Sequence, residues 1–312
     1  VFNLFVISIF WSFNSDFFNA SQAKRLYGTI AAGGSAGAVV GPMIATILVG
    51  KIGVTSLLLI SLGFMILATF FVFQMAKIGV LNGKGDMVLS MKGSIWDGLR
   101  LIAKSPMLKQ ISLFILLYST ISTFLYFEQA HIVSNAFTSS ADRASYFGTR
   151  DLLVSIVTLS LQFFLTEKII RKWGVVFCLI LVPTVSILAF FSLSISQSVY
   201  LLLGIQIVYG SLNLSIQRPT REVLFTSVSV EEKYRSKNFI DTAVYRGGDA
   251  VGGWLFTGIS YLMGSLQAIT LAAIPLALAW MAVGLKTGKL FNRTTSNSYE
   301  TSIEVIAAKK SA

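Results

Sequence analysis

The sequence predicts an all-α, polytopic bundle of membrane-spanning helices, and three observations predict it. Only 12% of the 312 residues are charged while 54% are hydrophobic, and the mean hydropathy is +0.73. Soluble domains carry about 25% charged residues, so a chain this poor in charge must turn much of its surface to lipid. The apolar residues fall in continuous runs of the roughly 20 that a spanning helix needs, not in the alternating pattern of a membrane β-barrel. The basic residues are also segregated. Of the 25 Lys and Arg, all but Lys51, Arg143 and Arg150 lie on one side of the membrane that these runs imply. By the positive-inside rule that side is the cytoplasm, which accounts for the net charge of +11 without nucleic acid.

Nine runs read as spans, in order 1–18, 29–49, 54–74, 111–132, 146–166, 175–193, 199–213, 247–263 and 268–285. The C-terminus is expected in the cytoplasm, so nine spans place Val1 outside. The chain starts in mid-helix without an initiator Met, which predicts an odd number of preceding spans. Between the third and fourth runs, 75–110 reads as a cytoplasmic linker. Within it Ile95, Leu99 and Ile102 share one face, and Pro106 ends the stretch, so a short helix over 95–104 is expected on the membrane surface. The tail from 291 to 312 is polar, rich in Ser and Thr, and expected to be disordered.

Polar side chains are expensive in lipid and normally turn inward. Four runs carry them at helical spacing: Ser8, Ser12 and Asp16; Ser112, Ser119, Ser122, Tyr126 and Gln129; Asp151, Ser155, Thr158 and Gln162; Gln206, Gly210, Asn213 and Gln217. For any single Ser or Thr, a bond between helices is the plainer reading. Four coordinated stripes point instead to a lined cavity. Asn14 lies off the stripe of its own run and needs a partner on a neighbouring helix. The third, sixth and ninth runs are nearly uniformly apolar and suit lipid, which gives an inner set of helices and a shielding set. Gly33-Gly-Ser-Ala-Gly37 and Gly247-Gly-Asp-Ala-Val-Gly252 stand six spans apart in matching contexts, as in transporters built from repeats.

The charged residues in or beside the runs are candidate solute or ion contacts. Asp16 could pair with Lys24 or Arg25 or reach water. Glu128 could be a buried proton carrier or an exposed end residue. Arg150 and Asp151 are adjacent on a helix and so need separate partners. Arg218, Arg221, Glu222, Asp241, Arg246 and Asp249 cluster around the cytoplasmic end of the eighth run and could form ion pairs that shut and open a gate. The full set of path candidates is Asn14, Asp16, Ser122, Tyr126, Glu128, Arg150, Asp151, Gln162, Gln206 and Asn213. A single Cys (Cys178) and a single His (His131), with no HExxH or Gly-x-Ser-x-Gly, argue against a metal centre, a cofactor or catalysis. No Gly-x-x-x-x-Gly-Lys loop is present to drive a primary pump.

Gly28, Gly37 and Gly41-Pro42 are spaced like the start of the antiporter motif on the fifth helix of the major facilitator superfamily, with Ala45 and Thr46 where that motif closes on glycines. Small residues there let helices approach closely. The chain resembles that superfamily throughout, which implies nine of twelve helices: 1–74 closing an N-terminal half, 75–110 joining the halves, and 111–290 forming the C-terminal half. The stretches Phe10-Trp-Ser-Phe-Asn-Ser-Asp16, Gln22-Ala-Lys-Arg-Leu-Tyr-Gly28 and Arg218-Pro-Thr-Arg-Glu-Val-Leu224 resemble the bacterial branch related to ATP:ADP antiporters, as do Lys237-Asn-Phe-Ile-Asp241 and Tyr245-Arg-Gly-Gly-Asp249. The resemblance implies a secondary transporter of a bacterial inner membrane that moves a small solute by alternating access, with protons or a counter-substrate as coupling partner and lipid around it. Nucleotide exchange is one form open to it. A non-transporting scaffold or lipid-handling protein is the rival, and would pack its polar stripes dry.

Overall fold

The computed structural model describes residues 10, 11, 14, 18, 20–81 and 95–311, and the elements among them are helical. In chain order they are α1 (Ala20–Leu81), α2 (Ile95–Lys104), α3 (Pro106–Ala136), α4 (Ser140–Phe164), α5 (Thr166–Ile195), α6 (Val199–Leu212), α7 (Arg218–Leu224), α8 (Val230–Phe239), α9 (Tyr245–Met263) and α10 (Leu266–Ser311). A π-helical turn, Asn213–Gln217, joins α6 to α7, and a second, Ile240–Val244, joins α8 to α9.

Among the described residues, five stretches are long and apolar enough to cross a membrane: Pro106–Ala136, Tyr146–Phe164, Thr166–Ile195, Val199–Ser227 and Leu266–Ser296. They carry five of the six runs expected after residue 110. The sixth run falls on α9, whose Arg246, Asp249 and glycines dilute its hydropathy. Within α5 the helix breaks at Gly174, whose φ of 78° is open to glycine and strained for other residues. The break separates the basic stub Thr166–Trp173 from the apolar run beyond it.

Three expectations give way. The runs at 29–49 and 54–74 lie on one helix, α1, of 62 residues and roughly 90 Å at about 1.5 Å per residue. The expected turn held only Gly50 and Gly53, which cost about 1 kcal/mol each in a helix, and no proline follows Pro42 before the end of α1. From residue 61 to 74 the side chains of α1 are exposed all round. The polar tail is the second case: α10 runs on to Ser311, because nothing between residues 289 and 311 is Gly or Pro. Third, α2 has the predicted bounds but packs on protein, with Ile102 buried in the main core.

The contact of α2 is with α8. A Cβ built on Gly98 would stand 2.5 Å from the Arg235 carbonyl oxygen, a backbone atom that cannot swing aside. Gly98→Ala is therefore expected to lift α2 off α8. Faster proteolysis between residues 82 and 105, with the rest of the chain intact, is the readout. An unchanged cleavage rate would mean that the contact does not hold α2.

The main core sits among α3, α5, α9 and α10. Phe114 and Tyr118 of α3 lie against Trp280 of α10, with ring centroids 5.6 and 5.7 Å apart. Phe124 and Phe127 pack on Phe256 of α9. At the interface of α3 with α9, a Cβ on Gly248 would come within 2.6 Å of the Leu116 carbonyl oxygen, and one on Gly252 within 2.9 Å of that of Thr120. The glycines of the first proposed repeat differ, since nothing lies within 4 Å of a Cβ on Gly33, Gly34 or Gly37.

Candidate functional site

Polar groups converge where α3, the α6–α7 segment and α9 meet. On α3, Ser122 shares a 2.7 Å hydrogen bond with the Tyr209 hydroxyl of α6. One turn earlier the Tyr118 hydroxyl accepts from Asn213 Nδ2 at 2.9 Å. The guanidinium of Arg221 lies 5.1 Å from the centre of the Tyr118 ring, whose edge also meets Tyr245 at 5.9 Å. Ser119 donates to the Asp249 carboxylate and to the Tyr245 carbonyl, and Asp249 pairs with Arg246 at 3.0 Å. Two cations, two tyrosines in T-shaped contact and an amide thus share one junction.

The junction rests on the two π turns. A π turn inserts an extra residue and turns the side chains after it, which is why such turns gather at functional sites. The first ends on Gln217, which is fully buried and has, among the described residues, no hydrogen-bond partner for either side-chain amide atom. An unmet buried polar group costs roughly 1–3 kcal/mol.

Beside the junction is a buried ionic triad. Lys237 Nζ lies 2.7 Å from Glu222 and 3.3 Å from Asp241, over the ring of Phe225 at 5.0 Å. The side chains of Lys237 and Glu222 are 1% and 6% exposed. Burial alone would push the ammonium down, and the two carboxylates more than offset this, so Lys237 stays above the ordinary lysine value of 10.5. The sequence reading named Glu222 and Asp241 as gate candidates but treated Lys237 only as part of a motif. The signal for it was the i, i+4 spacing to Asp241 beside apolar Phe239 and Ile240.

The other expected residues are placed as follows. Asn14 is buried but bonds its own helix, with Nδ2 donating to the Phe10 carbonyl at 2.8 Å, where a neighbouring helix was expected. Asp16 lies outside the described residues. Tyr126 is exposed, and Arg218 is half-buried at the start of α7. Glu128 is buried, and the Thr270 hydroxyl of α10 donates to it, so it is not an exposed end residue. Arg150 and Asp151 pair directly at 2.8 Å despite being adjacent, which the length of the arginine side chain allows. The same guanidinium donates to Gln206 at 3.1 Å. Gln162 donates to the Leu214 carbonyl at 3.2 Å. Of the spaced glycines, Gly28 packs on Thr166, with 2.9 Å from a Cβ to its Cγ2, while Gly37 and Gly41 have nothing within 4 Å. The side chain of Pro42 is not among those described.

Comparison with known proteins supplies the family. The profile of the TLC ATP/ADP transporter family matches residues 2–291. The chain is 22% identical over 232 residues to ADP,ATP carrier protein 1 of Chlamydia pneumoniae, covering 67% of this chain and 45% of that one. It is 20% identical over 241 residues to ADP,ATP carrier protein 1 of Chlamydia muridarum (strain MoPn / Nigg), covering 70% and 46%. The chain thus spans less than half of the length of these curated relatives.

Proposed function

The chain belongs to the TLC ATP/ADP transporter family, and from that premise we propose that it is an integral membrane transporter that exchanges adenine nucleotides by alternating access. The observation that carries this reading is Arg221 set over Tyr118, with Tyr245 against the same ring. A nucleotide offers a flat base for aromatic rings and phosphates for guanidinium groups, and few other small solutes use both. The junction of α3, α6–α7 and α9 is one wall of the solute path on this reading. Asn213, Ser122 and Gln217 supply polar contacts along it. The chlamydial relatives named as ADP,ATP carriers agree with this substrate.

The ion pairs Arg246–Asp249 and Glu222–Lys237–Asp241 are the proposed cytoplasmic latch, which would break when the path opens inward. Glu128 and the Arg150–Asp151–Gln206 group belong to the opposite end of the path. The membrane is a bacterial inner membrane, with the C-terminus in the cytoplasm. The two-half division, joined through 75–110, goes with this reading.

Proteoliposomes loaded with ATP test it. Labelled ADP uptake is expected only when nucleotide is inside. Arg221→Ala is expected to cut it about tenfold or more, the scale of one charge-assisted bond of roughly 1.5–3 kcal/mol. Uptake independent of internal nucleotide would overturn exchange, and no uptake at all would overturn the substrate.

A further inference from the structure

We infer that the protein holds a second anion site, for a phosphate-bearing ligand, in a cavity between the start of α1 and the start of α5. The cavity is about 420 Å³, and its described lining is Ser21, Gln22, Lys24, Arg25 and Arg171. None of these belongs to the polar junction or to the ionic triad. Three cations line the cavity, and no acidic side chain is among its described lining. The volume lies in the range of small-ligand pockets, roughly 300–1,000 Å³, and exceeds what an inorganic phosphate needs.

The backbones that carry these cations are held together. Lys24 and Arg25 come from α1 and Arg171 from α5, and the two helices are locked just beyond the cavity. Gly28 sits against Thr166, and Ala23 and Tyr27 are fully buried. Thr166 is fixed in turn, its hydroxyl donating to the Ser215 carbonyl at 3.0 Å. The Lys24 ammonium lies over the Phe291 ring at 5.6 Å. Arg171 has one carboxylate neighbour, Glu167, at 3.4 Å, and both side chains are well exposed, so that pair contributes little. Like charges held around one space repel each other, and an anion between them removes the repulsion. Ser21 and Gln22 add neutral hydrogen-bonding groups at the rim.

The ligand chemistry is an oxyanion with several acceptor oxygens and more than one negative charge. A soluble phosphate can supply it, and so can the headgroup of an anionic lipid, since basic residues at the cytoplasmic surface attract such lipids. The inference does not rest on nucleotide exchange, so the probe is not a nucleotide. Purified protein is placed in phosphatidylcholine nanodiscs, and its thermal midpoint is followed against pyrophosphate at constant ionic strength. A second series replaces part of the lipid with phosphatidylglycerol. Arg171→Gln and Lys24→Gln are compared with wild type, and Lys109→Gln serves as a control away from the cavity.

A midpoint that rises with pyrophosphate, at about tenfold higher concentration in both cavity variants, assigns the site to soluble phosphate. A midpoint that rises only with phosphatidylglycerol, and falls back in both cavity variants, assigns it to the lipid headgroup. Arg171→Lys is expected to restore part of either response, which separates lost charge from damaged folding. Cavity variants that respond like wild type and Lys109→Gln in both series would overturn the inference.

Discussion

Lys237→Met is expected to lose much of the folded protein, with a drop in thermal midpoint as large as that from truncating a buried aromatic side chain. The substitution takes from buried Glu222, and from half-buried Asp241, the ammonium that now lies 2.7 and 3.3 Å from them. Removing one member of a buried ion pair costs about 3–5 kcal/mol, because the remaining charge loses both water and partner. Replacing all three by apolar residues of similar volume is expected to recover most of that loss, since it leaves no uncompensated charge. If the triad is a latch, the triple variant folds but its exchange rate and state occupancy change. The sign of the pH effect follows from Lys237 lying above its ordinary value. Its contribution is complete below about pH 10.5 and is lost only as pH rises past the raised folded value. Lys237 therefore adds no pH sensitivity near neutrality. A Lys237→Met protein that melts with wild type would refute the account of the triad.

What the sequence made legible was whatever depends on neighbours along the chain. The bounds of α2 followed from three apolar residues on one face and from Pro106, and the helix indeed runs Ile95–Lys104. Its partner did not follow, because Gly98 meets Arg235 from far along the chain. The polar stripes held one partner of each bond between α3 and its neighbour, since Ser122 meets Tyr209 and Asn213 meets Tyr118, and both tyrosines lay outside the stripes. Depth was legible and facing was not: Glu128 stood at a helix end in the sequence, but Thr270 of α10 covers it. Lys237 was hidden by its company. It sits in a basic segment whose charges were already explained as orientation, and its burial depends on Glu222 and Phe225, which precede it on another helix. The long helix α1 and the helical tail were missed for one reason: weak breakers and polarity were read as ends, and neither stops a helix without proline or a competing contact.

Gly248→Val is expected to separate α9 from α3 and to abolish transport, while Gly247→Ala beside it is expected to be neutral or mildly stabilising. The contrast comes from position alone. A Cβ on Gly248 would stand 2.6 Å from the Leu116 carbonyl oxygen and 2.8 Å from the Ser119 Cβ, and both are held by α3. Ordinary contact needs about 3.5–4.0 Å, so α9 must retreat by on the order of 1 Å. That movement breaks the Ser119 contact with Asp249 and the longer one from Thr123 at 3.4 Å, leaving the Arg246–Asp249 pair without its tie to α3. Overpacking of this kind costs about 1–3 kcal/mol, and here the cost falls on the junction that carries Tyr118, Tyr245 and Arg221. Gly247 has nothing within 4 Å, so an added methyl meets no neighbour and gains up to about 1 kcal/mol of helix propensity. Opposite outcomes at adjacent glycines cannot come from a general intolerance of the segment. Unfolding midpoints and nucleotide uptake measured on both variants decide it. Equal behaviour of the two would show that the close approach of α3 and α9 is not what aligns the path.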